Sequence, residues 1–393
     1  MPHRIRHAVY PRAFPSTHLQ TLFINHCMDY TTLYQSVREF LAGFTNAAAL
    51  PQAFVALDGY VDKIQQVVKA REQEVKYYST ISDFSADTGA AAGKSAQFEL
   101  VTHTVKLGGN APILSHALAC LGLPNYCVGT FGSPGLHPVF ADAHPLASMV
   151  SLGPPAETNA LEFHDGKLIL SDVSAFSAID WQFLKANPGL EKLKEMLAAS
   201  HTIALVDWCN VPHATAIWEG LLTEVLPWLP ATPRHFLFDL ADPSRKLPAE
   251  IHRVCDLMPL FMPYGKVTLG LNENEARKLH TVLAGQPSGS MPLQEISAAL
   301  FERLGLHQLL IHPLDASYLA DATGCTTIPG KLVKTPRIST GGGDNLNAGF
   351  CFGQALGLSF AQSAVLGMAT SGAYVTDGAS PDTRRLLQYL ADW

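Results

Sequence analysis

The chain has 393 residues, of which 47% are hydrophobic and 16% charged, and its formal net charge is −7. This composition supports a large core and excludes a disordered chain. The acidic balance, with no long basic run, argues against nucleic acid or an anionic membrane surface as partner.

Residues 1–28 carry Arg4, Arg6 and Arg12, three prolines and no acidic residue. The prolines interrupt any amphipathic targeting helix, so this stretch reads as a disordered tail, or as sequence upstream of a true start at Met28. Leu33, Val37, Phe40, Leu41 and Phe44 recur at helical spacing and predict a helix over 31–45. Residues 1–50 therefore form an N-terminal extension and 51–393 the main domain. Residues 53–58 read as a buried strand, followed by a turn at Gly59. Residues 72–107 mix polar alternation with a small-residue loop over 86–95 and a strand over 98–105. Residues 161–170 predict a hairpin turning at Asp165-Gly166. From 202 onward the rhythm is regular. Strands are expected at 202–206, 235–238, 266–269 and 308–311, with helices at 213–226, 273–284 and 293–305. Such alternation implies a mostly parallel sheet flanked by helices, with ligands beyond the carboxyl ends of its strands.

The seven cysteines are scattered, with no C-x-x-C pair and no Cys/His metal spacing. They read as reduced thiols of a cytoplasmic protein. No apolar run approaches the length that spans a bilayer. Trp208 and Trp218 are expected in the core. Asp207, Asn210, Asp239 and Arg245 follow predicted strands, where turns and caps are the plainer roles.

The chemistry concentrates in four places. Gly341, Gly342 and Gly343 lead into Asp344 and a helix rich in small residues. Glycines let a backbone approach a ligand closely, the amides of a helix start favour an anion, and a carboxylate beside them can take a proton from an attacking hydroxyl. Together they suggest phosphoryl transfer. Gly108 and Gly109 precede Asn110 and a second helix, whose cap is an equally good use of Asn110. Asp62, with Asp58 as its substitute, offers a carboxylate for paired hydroxyls. Asn272 and Glu275 have the spacing of a capping box, and also supply the oxygen atoms that magnesium prefers.

Ser339-Thr-Gly-Gly-Gly-Asp344-Asn-Leu346 resembles the C-terminal signature D-T-x-G-A-G-D-x-F of ribokinase-like (PfkB) carbohydrate kinases, with Ile338 and Gly342 replacing its first aspartate and its alanine. Gly108-Gly109-Asn110-Ala-Pro-Ile113 resembles the N-terminal signature G-G-x-x-x-N-x-A, with Ile113 in place of its asparagine. Asn272-Glu-Asn-Glu275 resembles the family's N-x-x-E. Gly129 to Gly135 match a further glycine element only in part, since its aspartate is missing, and the glycine expected before Asp62 is Leu57. These elements stand in family order over about 53–393.

The resemblance implies a ribokinase-like α/β fold with a small β lid from about 72–106 and 158–170. It implies ATP-dependent phosphorylation of a sugar, nucleoside or related polyol, with Asp344 as general base and the amides of Gly341 to Asp344 as anion hole. Asn272 and Glu275 would support Mg2+ and phosphate, while Asp62, Gly108, Gly109 and Asn110 would bind the acceptor. It also suggests a homodimer formed through the lid. Three alternatives stay open: a catalytically weak ligand-binding or regulatory protein on the same fold, an ADP-dependent sugar kinase, and an interaction protein docking through its N-terminal extension.

Overall fold

The computed structural model describes residues 29–44, 50–338 and 340–393. The expected tail over 1–28 lies outside them. Nine strands form the main sheet: β1 (Gln52–Ala56), β5 (Asn125–Gly129), β6 (Ala147–Ser151), β9 (Ser200–Leu205), β10 (His235–Asp239), β11 (Lys266–Leu271), β12 (Gln308–Ile311), β13 (Ala316–Asp321) and β14 (Gly324–Pro329). Their order is β14-β13-β12-β11-β10-β9-β1-β5-β6. Every pair from β12 to β6 is parallel, and only the β12–β13 and β13–β14 pairs are antiparallel.

The parallel strands are mostly apolar and buried because both faces are covered. Phe54, Ile203, Phe236 and Leu269 belong to a core on one face. Their neighbours Val55, Ala204 and Leu237 belong to a core on the other. Trp208 and Trp218 lie in the first of these cores, as expected. Helix Tyr30–Gly43, capped by Asp29, sends Val37 and Leu41 into the second core. Its Tyr30 and Tyr34 hydroxyls donate to the carbonyls of Thr327 and Pro329, so the helix covers the edge strand β14.

A second sheet of five strands stands off the first. It contains β2 (Tyr60–Arg71), β3 (Val75–Tyr77), β4 (Glu99–Gly108), β7 (Ala156–Phe163) and β8 (Gly166–Asp172). This sheet is the expected lid, with different bounds. Its central strand starts at Tyr60 rather than near 72, and Ile81–Ala90, inside the stretch read as lid strand and loop, is a helix. The register of β2 shifts between Ile64 and Gln65 where it pairs with β4. That irregularity breaks the two-residue alternation by which a strand is recognised. The β7–β8 hairpin forms as expected, with Phe163 opposite Gly166.

Candidate active site

Asp58, Asp207, Asp239, Asn272 and His312 all follow or end parallel strands, so the carboxyl edge of the sheet collects them. Asp58 is fully buried. Its two carboxylate oxygens accept the backbone amides of Asn110 and Ala111, each at 2.7 Å, at the start of helix Asn110–Cys120. Burial nevertheless pushes its pKa up to about 7, against those two hydrogen bonds and with a further push from Asp239. The N-cap of the helix is Gly109, and Asn110 makes no capping bond.

The glycine pair makes room for carboxylates. Gly109 has φ +98°, and a Cβ there would come within 2.4 Å of Asp58 Oδ2. A Cβ on Gly108 would come within 2.2 Å of the Asp62 carboxyl. Asp62 itself is only 6% exposed. Burial raises its pKa, while Lys106, the Thr158 hydroxyl and Lys167 oppose the shift.

The helix Gly342–Ala355 begins without a side-chain cap, its N-cap being Gly341 at φ +91°. The first amides of a helix have no acceptor within it, so this start presents bare donors. Tyr374 Oη donates to the Thr340 carbonyl at 2.8 Å, and Asn345 Nδ2 to the Gly341 carbonyl at 2.9 Å, which fixes the turn. Ile113 reaches the same turn, with its Cδ1 3.4 Å from where a Gly341 Cβ would stand. Asp344 lies in the first turn, buried, and its Oδ1 has no partner. Its pKa is held well above the carboxylate range by burial first, then by Asp239, Asp58, Asp207 and Glu275.

The remaining carboxylates form the floor. Asp207 sits at φ +55°, accepting from Tyr60 Oη at 3.1 Å and from Asn210 Nδ2 at 2.6 Å. Asp239 accepts from the Ala241 amide and from Asn347 Nδ2. Asn272 and Glu275 make a reciprocal capping box, both bonds 2.9 Å, on helix Glu273–Ala284. Burial, then Asp239, pushes Glu275 up to about 8. Among the described residues no three such side chains converge as a ready metal cage. The side-chain oxygens of Asp239, Asn272 and Glu275 fit a magnesium ion that keeps water and is held mainly by substrate phosphates.

A cavity of 310 Å³ adjoins the turn, lined by Asn272, His312, Gly342, Gly343, Leu346 and Met368 among others. Burial presses the His312 pKa down to about 4, so it meets a ligand as neutral imidazole. Asp58, Asp62 and the lid strands are not among the residues that line this cavity.

Comparison with known proteins matches residues 31–393 to the family model of prokaryotic ketohexokinases. The chain belongs to this family. It is 28% identical over 340 residues to a ketohexokinase of Haloferax volcanii, covering 86% of this chain and 90% of that one. A ribokinase from Thermotoga maritima superposes with a TM-score of 0.61 at 15% identity, over 87% of this chain and 100% of that one. A ribokinase of Arabidopsis thaliana, solved with ribose and ATP, does so with 0.59 at 16% identity, over 87% and 99%. The two structural likenesses show the ribokinase fold, and the family makes the chain a carbohydrate kinase.

The structure of this kinase places Asp62 and Gly108 on lid strands β2 and β4, Gly109 and Asn110 at the helix start beside them, Gly341 to Asp344 at the turn, Asn272 against the cavity, and Glu275 in the helix that Asn272 caps. Sequence reasoning underrated Asp207 and Asp239, because a lone carboxylate after a strand looks like any turn residue. It passed over Tyr60, Lys106 and Tyr374. It also missed Lys167 on β8, whose Nζ donates to Thr340 Oγ1 at 2.5 Å. No local pattern marks that lysine, since the contact exists only once the lid folds back.

Proposed function

We propose that this kinase transfers the γ-phosphoryl group of ATP to a hydroxyl of a ketohexose, with Asp344 as general base. The observation that carries the reading is the Asp344 carboxyl, buried with a bare Oδ1 beside an uncapped helix start. Raised basicity suits it to take the hydroxyl proton as the new bond forms. The amides of Gly342, Gly343 and Asp344, with Gly341 shaping the turn, hold the charge that develops on the phosphoryl oxygens. The 310 Å³ cavity takes the nucleotide. Asp62, Asn110 and the lid take the sugar, whose hydroxyls donate to the carboxylate. Asp58 orients that wall through its bonds to the Asn110 and Ala111 amides. Magnesium bound with the phosphates near Asp239, Asn272 and Glu275 would neutralise part of the carboxylate cluster and of the phosphate charge. The ketohexose assignment follows the named relative in Haloferax volcanii.

Two further readings belong here. Leu100 and Val105 on β4, and Ile169 and Leu170 on β8, are exposed large apolar side chains of the lid. They suit a second copy of the chain, which sedimentation would detect as a dimer. The six described cysteines are all unpaired, which is cysteine usage for a reducing cytoplasm. The functional test is release of ADP from ATP in the presence of fructose and other ketohexoses, against ribose and adenosine. Phosphorylation of adenosine or ribose alone would replace the acceptor, and consumption of ADP instead of ATP would replace the donor.

A further inference from the structure

We propose that Lys167 is the cation that the lid supplies to the transferred phosphoryl group; this rests on the active-site reading above. Three observations lead to it. Lys167 stands at the second position of β8, on the outer hairpin of the lid, yet its Nζ lies 2.5 Å from Thr340 Oγ1, one residue from Gly341. Thr340 is itself held by Tyr374 Oη through its carbonyl. The ammonium is therefore fixed at the mouth of the helix start where the phosphoryl group would sit.

The second observation is charge. The groups that act on Asp344 are Asp239, Asp58, Asp207 and Glu275, all carboxylates. A phosphoryl group approaching that cluster needs positive charge facing it. Lys331, which lines the cavity, is turned to Asp392 at 3.7 Å and to the Tyr389 ring. Lys106 faces Asp62, Lys167 and Glu162 inside the lid. Lys167 is the lysine that touches the turn.

The third observation is its partner. Among the described residues Lys167 makes no ion pair with a carboxylate, and its bond is to a neutral hydroxyl. An ammonium has three donors, so two remain for an anion. The Asp62 carboxyl feels its charge but lies beyond ion-pair distance, so no carboxylate holds the ammonium.

In the transfer, the acceptor oxygen bonds to the γ-phosphorus as the bond from that phosphorus to the β,γ-bridging oxygen breaks. The electron pair leaves with ADP, and the hydroxyl proton goes to Asp344. Lys167 keeps its protons and donates hydrogen bonds to the non-bridging oxygens. Because it rides on the lid, the phosphoryl site is complete only when the lid lies over the acceptor, which favours transfer to sugar over transfer to water.

The test compares Lys167→Met and Lys167→Arg, each checked for an unchanged unfolding temperature. Removing one preorganised donor of this kind costs about 10²–10³-fold in turnover. Lys167→Met should lose that much kcat with fructose while the fructose KM changes little, and Lys167→Arg should recover most of the loss. Wild-type kcat in Lys167→Met, or a loss confined to the fructose KM, would overturn the proposal. Calorimetry separates this from the reading beneath it, because it needs no turnover. Lys167→Met should weaken a non-hydrolysable ATP analogue and leave ADP unchanged; equal effects on both nucleotides, or none, refute the role of Lys167 even if fructose is not the acceptor.

Discussion

Replacing Gly108 with alanine tests why a glycine pair opens the second helix. The new Cβ would lie 2.2 Å from both Cγ and Oδ1 of Asp62. Ordinary contact is no closer than 3.4 Å, so the carboxyl must retreat by about 1 Å. Asp62 has little freedom to do so, being 6% exposed and placed among Thr158, Lys106 and Lys167. A displacement of roughly that size is enough to misalign a positioned group. Losing the hydrogen bonds of one buried acceptor costs about 1–3 kcal/mol, or about 5- to 150-fold in affinity. Fructose affinity, measured by calorimetry, should fall within that range while affinity for the ATP analogue stays unchanged, because neither Gly108 nor Asp62 lines the cavity. Asp62→Ala should show the same selective loss. In the double variant Gly108→Ala/Asp62→Ala the two losses should not add, since the glycine matters only through the carboxylate. Additive losses, or a fall in nucleotide affinity, would refute this account of the glycine pair.

Two other outcomes follow from the buried carboxylates. Glu275→Gln keeps the shape of the cap and removes the carboxyl that can ionise toward a metal, so activity should need more magnesium with the fold intact; an unchanged magnesium dependence would leave Glu275 a capping residue alone. Stability should depend on pH with a definite sign. Asp58, held up to about 7, and Glu275, held up to about 8, keep protons in the folded chain that the unfolded chain has released, so stability falls as pH rises. His235 and His312, pressed by burial to about 3 and about 4, work the opposite way at pH values below 6.5, their ordinary value. Between pH 6.5 and 8 the carboxylates act alone, and the unfolding temperature in metal-free buffer should drop. Glu275→Gln should make that drop shallower, and a rise across this window would contradict the assignment of buried, protonated carboxylates.

Much of this architecture was legible because it rests on local chemistry. The apolar strands over 202–206, 235–238 and 266–269 have no other use than a sheet covered on both faces. The helix 273–284 carries its own start signal in Asn272 and Glu275. The turn at Gly341 announces itself because few other residues accept its φ of +91°. What was not legible depends on distant parts meeting. The strand Tyr60–Arg71 was obscured by the register shift at Ile64, and its first residue becomes informative only when Tyr60 Oη finds Asp207. The glycine pair was expected to bind the acceptor, and nothing in its local pattern signals that it also makes room for Asp58 and Asp62. Asp207 and Asp239 gain meaning only from one another and from Asp344, through burial in one cluster.

Turnover of Asp344→Asn with ATP and the best ketohexose tests the central claim most directly. The variant keeps the size of the side chain and removes the base. General-base catalysis contributes about 10²–10⁴-fold, so kcat should fall by at least that range. Nucleotide affinity should hold, since the substitution leaves the amides of the helix start in place. A variant that turns over at near wild-type rate would reduce Asp344 to a residue that starts a helix, and the proposed mechanism would fail with it.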